Sequence, residues 1–143
     1  MTKLKKLKSP PRHKARELVL QSLYAIEGGS TEPDKSFERL SSELSIAERH
    51  LDYAEELFSL TRKHIGWADE NISKLATNWK IERINAIDKN IIRMAMVEMK
   101  YRPDVPVKVV INEAIELAKT FSTKESASFV NGLLDAFSKS TAL

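Results

Sequence analysis

The spacing of glycine and proline is the feature that most constrains the fold of this chain. Only four glycines and five prolines occur among 143 residues. In a helix interior, glycine costs about 1 kcal/mol and proline about 3 kcal/mol relative to alanine. Stretches that contain neither residue can therefore form uninterrupted helices. Apolar residues recur there every three or four positions. The one short alternating run, at 105–111, is interrupted by proline and continues with a helical period. The sequence therefore predicts an all-α protein of about seven helices and no sheet.

Capping and breaking residues predict where the helices begin and end. A serine three residues before a glutamate is a capping box, which opens the third helix at Ser45–Glu48 and the seventh at Ser122–Glu125. Gly66 is expected to close the third helix, and Ser9 to cap the first. The predicted helices span about 11–27, a short segment after Pro33, the segment from Ser45 to Gly66, 68–78, 85–101, 107–121 and the chain after Ser122.

The apolar periodicity within these helices predicts the core. The predicted stripes are Ile84, Ile87, Ile91, Met94 and either Val97 or Glu98 in the fifth helix, Val107, Ile111, Ala114, Ala118 and Phe121 in the sixth, and Val130, Leu133, Leu134 and Phe137 in the last. Phe129 falls on the edge of the last stripe. Gly132 lies inside the same helix, where glycine is unfavourable, and it is expected to permit close helix packing.

Composition excludes several classes of protein. The chain contains no cysteine, which excludes disulfides, cysteine-ligated metals and thiol nucleophiles. No apolar run approaches the roughly 20 residues of a membrane helix, and the basic start leads into no signal-peptide core. We therefore expect a cytoplasmic protein with no membrane partner, built as one helical domain over 11–143.

The charge distribution is asymmetric. Residues 1–16 contain seven of the 23 lysines and arginines and no acidic residue, which leaves 16 basic against 20 acidic residues, a net charge of −4, in 17–143. A basic arm, predicted to be flexible over 1–10, is thus attached to a mildly acidic body. Such an arm attracts a polyanion such as nucleic acid, or an anionic membrane surface. A solvated, solubilising tail is the alternative interpretation.

Catalytic constellations are absent from the sequence. It contains no glycine-rich phosphate loop, no His-Glu-x-x-His pair and no Gly-x-Ser-x-Gly elbow. Adjacent carboxylates such as Glu55 and Glu56 point about 100° apart on a helix and are ordinarily solvated. We therefore expect no enzyme, no metal site and no cofactor, and binding is the favoured class of function.

Four stretches of the sequence resemble the NusB family of bacterial transcription antitermination factors. They read RHKARELVLQSLY at 12–24, DKNIIRMAMVE at 88–98, VPVKVVINEAIELAKTF at 105–121 and SASFVNGLLD at 126–135. The resemblance covers residues 12 to about 137. It implies two three-helix sub-bundles packed perpendicular to one another. It also implies that the protein pairs with NusE, a ribosomal protein of the small subunit, and binds single-stranded boxA in nascent ribosomal RNA. This heterodimer nucleates the antitermination complex on RNA polymerase.

The resemblance also implies which residues form the binding sites. The RNA-binding positions are Lys8, Arg12, His13, Lys14, Arg16, Tyr24, Glu125, Ser128 and Phe129, and those facing NusE are Asp88 and Arg93. The residues themselves agree in part, because arginines four apart share a helix face and aromatic rings stack on unpaired bases. The alternatives are structural: Tyr24 and Phe129 as partly exposed core aromatics, and Asp88 as a charge favoured by a helix N-terminus.

Two features depart from the family pattern. The basic motif is poorer in arginine than in many relatives, and Ser128 stands where some carry lysine. We therefore expect weak RNA binding without NusE. The alternatives are a helical protein-interaction scaffold that has lost RNA binding, and the RNA-binding module of a ribosomal RNA methyltransferase. Some family members form homodimers that hide the RNA surface, and the sequence does not determine whether this chain does so.

Overall fold

The computed structural model describes residues 12–78 and 80–143. Within them the chain forms seven α-helices and no strand, which confirms the all-α prediction. The helices are α1 His13–Glu27, α2 Pro33–Glu43, α3 Glu48–Lys63, α4 Ile65–Leu75, α5 Ala86–Tyr101, α6 Val107–Phe121 and α7 Lys124–Ser140, with a short 3-10 turn at Ile81–Arg83. The basic arm, Ser9 and Lys8 lie outside the described residues. No helix of the described chain is long and apolar enough to cross a bilayer.

The start of α3 differs from the prediction. Ser45 does not cap α3 but adopts a left-handed backbone with φ of 53° at the end of α2. Its N–H donates to the carbonyl of Ser42, and the next N–H, of Ile46, donates to that of Ser41. This pair of bonds is a Schellman motif, which ends a helix. Helix α3 consequently begins at Glu48, and the capping-box prediction at Ser45 is wrong.

Other boundaries are shifted too, and α4 spans Ile65–Leu75 rather than the predicted 68–78. Gly66 does not close α3, because α3 ends at Lys63 and the glycine lies in the first turn of α4. Helix α1 begins at His13 rather than 11 and ends in a second Schellman motif, in which Gly29 has φ of 105°. Helix α7 is capped one residue later than predicted, because Thr123 accepts the N–H of Ser126.

The chain divides into two compact units, residues 1–56 and 57–143. In the described part of the first unit, α1 packs on α2, and α3 crosses into the second unit along the sequence. The buried apolar residues are Ala15, Leu18, Val19, Leu20 and Leu23 of α1, Phe37 and Leu40 of α2, and Tyr53 and Ala54 of α3. These residues form a small aliphatic and aromatic core.

The second unit is organised around α5, which contacts α4, α6 and α7. Every residue from 90 to 99 is buried, including Asn90, Arg93 and Glu98. The single apolar stripe predicted for this helix is therefore too narrow, because neighbours cover it on several sides. Since buried polar groups are costly without hydrogen bonds, these three side chains need partners within the fold.

The two helices that follow α5 differ in how well the sequence predicted their buried faces. In α7 all four predicted core residues are buried, and Phe129 is half-buried at the edge of the stripe. In α6 the buried face is centred on Val110, Ala114 and Leu117. The predicted core residues Val107, Ile111 and Phe121 are only half-buried. Gly132 is exposed and a Cβ there would meet nothing within 4 Å, so the predicted close packing at this glycine is wrong.

Candidate nucleic-acid interface

The N-terminal turn of α1 carries the basic residues predicted to bind RNA. Lys14 is exposed, while Arg12 and His13 are half-buried. Arg16 is only 2% exposed. The guanidinium carbons of Arg12 and Arg16 lie 4.0 and 6.0 Å from the ring centroid of Tyr53, so both face the same ring, as their four-residue spacing predicts.

The burial of Arg16 changes what this turn offers to a ligand. An arginine over an aromatic face is stabilised by the quadrupole of the ring, and its methylene stem contributes packing. Arg16 is therefore a structural cation of the first unit in this conformation. The groups accessible to an anion are the ammonium of Lys14 and the exposed parts of Arg12 and His13.

Tyr24 lies at the other end of α1 and is 48% exposed. It follows His13 by eleven positions, which corresponds to about three helical turns and an axial rise of about 16 Å. The two side chains therefore project from the same face of α1. An exposed aromatic ring on the same face as a basic helix start is suited to a single-stranded polyanion, because stacking and phosphate contact act together.

A cavity of about 250 Å³ lies where the N-termini of α5 and α7 meet in the second unit. It is lined by Arg83, Ile84, Asn85, Asp88, Glu125, Ser126 and Phe129. Three of the predicted site residues are thus brought together, although the family resemblance implied one surface for Asp88 and another for Glu125 and Phe129. Phe129 also lines a second groove together with Ser128 and Gly132.

Asp88, one of the residues that line this cavity, is held by a network of hydrogen bonds. The Asp88 backbone N–H donates to Oδ1 of Asn85 over 2.8 Å, and the amide of Asn85 donates to Oδ2 of Asp88 over 3.1 Å. The hydroxyl of Ser126 donates to the same Oδ2 over 2.6 Å. Asp88 is only 5% exposed, and its Oδ1 has no hydrogen-bond partner within the described chain.

Sequence reasoning missed Arg83, Asn85 and Ser126 as members of this site. The signal for two of them was present locally. Asn85 stands three residues before Asp88, which is the spacing of a helix N-cap and its bonding partner, and Thr123 stands three before Ser126. The hydrogen bond between Ser126 and Asp88 joins residues 38 positions apart and has no local signature.

Arg93 lies inside the second unit, one helical turn and a half after Asp88. Its Nε and Nη2 donate to the two carboxylate oxygens of Asp69 over 2.7 and 2.8 Å, and its Nη1 donates to Oδ1 of Asn90 over 3.0 Å. This bidentate pair joins α5 to α4. Since Arg93 is 8% exposed, little of its side chain is accessible to a partner in this conformation.

Comparison with known proteins identifies relatives along nearly the whole chain. A family model described as the NusB family matches residues 13–139. The protein of Thermodesulfovibrio yellowstonii called transcription antitermination protein NusB is 44% identical over 90% of this chain and 91% of its own length. The protein of the same name from Desulforamulus reducens is 40% identical, with 86% of each chain covered.

Solved structures share the fold. The T. maritima NusB structure superimposes with a TM-score of 0.78 at 30% identity and covers 92% of both chains. NusB in a crystal structure of the antitermination factors NusB and NusE in complex with dsRNA gives a TM-score of 0.80 at 24% identity, with coverage of 91% of this chain and 97% of the other. The second match concerns the fold alone, because the identity is low.

Proposed function

The chain belongs to the NusB family, and from this membership we propose that it is a transcription antitermination factor. With NusE it binds boxA in nascent ribosomal RNA, and the heterodimer nucleates a complex on RNA polymerase that suppresses early termination. The observation that carries this proposal is the match to curated antitermination proteins at 40% and 44% identity over most of the chain.

The α1 surface supports the RNA part of the proposal. Lys14 and the accessible parts of Arg12 and His13 supply positive charge, and the exposed ring of Tyr24 supplies a stacking platform on the face of His13. Phosphate contacts of this kind position a strand, and each stacked base contributes about 1–3 kcal/mol. Lys8 and the rest of the arm add charge to the same end of the sequence.

The cavity of the second unit supports a second contact. Phe129 presents a half-buried ring, and Glu125 lies exposed at the start of α7. A carboxylate beside an aromatic ring suits an unpaired base, because the ring stacks on the base and the carboxylate accepts its N–H groups. We assign Phe129 and Glu125 to RNA binding, and the surface around the buried Asp88 and Arg93 to NusE.

The test is the binding of boxA RNA and a scrambled control to the protein, with and without NusE, across a salt series. We expect NusE to increase the affinity for boxA alone. Three or four phosphate contacts give a log–log salt slope of about −2 to −3, at roughly 0.7 per contact for a single strand. Equal binding of both RNAs with no effect of NusE would contradict the proposal.

A matched pair of variants tests whether α1 makes the phosphate contacts. Lys14→Ala and Lys35→Ala each remove one exposed lysine from the first unit. Lys35, on α2, pairs with Glu32, the residue before that helix, over 3.2 Å and has no role in the proposal. We expect Lys14→Ala to weaken boxA binding and reduce the salt slope by about 0.7, while Lys35→Ala leaves both unchanged. Equal effects of the two would mean that only net charge matters.

One observation favours the scaffold alternative. Arg16, the second arginine of the basic motif, is enclosed beside Tyr53 and so contributes less to phosphate contact than the sequence suggests. If the protein binds NusE but shows no affinity for boxA in its presence, the scaffold function replaces antitermination as the better interpretation. In that case Lys14→Ala would leave NusE binding unchanged.

A further inference from the structure

We propose that Ser126 is a positioning residue for RNA binding. Its hydrogen bond to Asp88 ties the N-terminus of α7 to that of α5 and thereby sets the positions of Glu125 and Phe129 at the cavity. This inference rests on the proposed RNA-binding function, because it assigns to Ser126 the geometry of a site that contacts RNA through other residues.

The hydroxyl of Ser126 is oriented from several sides. It donates to Oδ2 of Asp88 over 2.6 Å and accepts a hydrogen bond from the hydroxyl of Ser122 over 2.9 Å. The backbone N–H of Ser126 donates to the N-cap hydroxyl of Thr123 over 3.0 Å. Ser126 is buried, so these contacts form away from bulk water. A short bond to a carboxylate in such a setting is among the stronger hydrogen bonds in proteins.

Asp88 depends on this hydroxyl. Within the described chain the Oδ1 atom of its carboxylate has no hydrogen-bond partner. Oδ2 is bound by Ser126 and, over the longer distance of 3.1 Å, by Asn85. Removal of the hydroxyl would leave a buried carboxylate with one side-chain donor. A buried charge that lacks donors is costly, and it moves toward water where it can.

The cavity offers the space for that movement. Asp88, Ser126 and Phe129 all line it. Ser126 and Phe129 are three positions apart on α7 and therefore neighbours on its surface, and Glu125 directly precedes Ser126. A carboxylate that turns into the cavity would occupy space beside the Phe129 ring and bring a second negative charge near Glu125. Both changes oppose the approach of RNA.

The experiment measures boxA affinity of Ser126→Ala at saturating NusE. We expect binding about tenfold weaker than that of the natural protein, equivalent to ~1.4 kcal/mol. The matched control is Thr61→Val, because the buried Thr61 hydroxyl donates to the carbonyl of Leu57 within α3, away from the cavity. Like Ser126→Ala, Thr61→Val removes one buried hydrogen bond from a hydroxyl group. We expect it to bind boxA like the natural protein.

A double-mutant cycle with Asp88→Asn identifies the partner. Asparagine keeps the shape of the side chain but carries no charge, so the loss of the Ser126 hydroxyl should weaken boxA binding much less in this background. Three outcomes would each overturn the inference. The boxA affinity of Ser126→Ala could be unchanged, Thr61→Val could lose as much boxA affinity as Ser126→Ala, or the losses in Ser126→Ala and Asp88→Asn could be fully additive.

An RNA-independent measurement separates this inference from the proposed function. If the natural protein does not distinguish boxA from scrambled RNA, the proposed function fails before any variant is compared. Amide NMR shifts of Ser126→Ala then test the positioning itself. We expect changes in the first turn of α5, across the bond to Asp88, as well as in α7. Changes confined to α7 would overturn the positioning role.

Discussion

The substitution Asp69→Asn tests whether the ion pair with Arg93 holds α4 to α5. Asparagine preserves the size of the side chain but removes its charge and replaces one acceptor oxygen with an N–H donor. One of the two guanidinium N–H groups that now bind Asp69, at 2.7 and 2.8 Å, would then face another donor. Arg93 would remain almost fully buried with its positive charge and with Asn90 as a neutral partner.

The expected loss follows from the burial of the two partners. Hydrogen bonds to charged groups contribute about 1.5–3 kcal/mol each, and removal of one partner of a buried pair costs about 3–5 kcal/mol. The side chain of Asp69 is 32% exposed, so water can replace part of the interaction. We therefore expect a loss of about 2–3 kcal/mol. At about 2.1 cal/mol/K of unfolding entropy per residue, this corresponds to a decrease in Tm of about 7–10 °C for the 143 residues.

The assay is urea unfolding followed by far-UV circular dichroism, with thermal unfolding as the second measurement. The control is Glu43→Gln, which neutralises the exposed pair with Arg39 at 3.4 Å and should cost less than about 0.5 kcal/mol. The m-value should stay unchanged, because the surface exposed on unfolding is the same. A loss for Asp69→Asn no larger than that of Glu43→Gln would refute the reasoning and show that the other contacts of Arg93 suffice to hold it.

Three further substitutions test individual features of the fold and site. Gly132→Ala should raise the free energy of unfolding by up to about 1 kcal/mol in urea melts, because its Cβ would meet nothing within 4 Å; destabilisation would contradict the open space seen there. Gly29→Ala should instead lower the free energy of unfolding by about 1 kcal/mol, because φ there is 105° and strains any residue with a Cβ. An unchanged urea midpoint would contradict this strain. Tyr24→Ala should change the free energy of unfolding by less than about 0.5 kcal/mol but weaken boxA binding by about 1–3 kcal/mol, and Tyr24→Phe should bind like the natural protein. Equal boxA binding by the natural protein and both variants would remove Tyr24 from the RNA site.

Local sequence patterns predicted the helices best where breaking and capping signals coincide with the apolar period. Helix α6 matches its predicted span of 107–121, because Pro103 and Pro106 delimit its start and its apolar residues recur every three or four positions up to Phe121. The prediction failed at Ser45 and Gly66. A serine can begin one helix or end another, and a glycine can follow a helix or lie in the first turn of the next, so short-range chemistry alone does not decide between these positions.

The candidate site was only partly predictable. The resemblance to the NusB family placed Asp88, Glu125 and Phe129 among the functional residues, but it separated them into two surfaces that share one cavity in the structure. Arg16 shows the opposite case. The resemblance placed it among the RNA-binding residues, but it is buried beside Tyr53, on a helix distant in sequence. Burial depends on which elements meet, which the spacing within one helix does not specify.

The sequence by itself determined the helical class, the number of helices and the family, because these depend on local propensity, on breaking residues and on ordered motifs along the chain. Only the tertiary structure decided that α5 is buried over all of 90–99, that Arg93 binds Asp69, and that Ser126 binds Asp88. The physical reason is common to all three. A buried polar group must find its partner wherever the fold places one, here 24 and 38 positions away for Arg93 and Ser126.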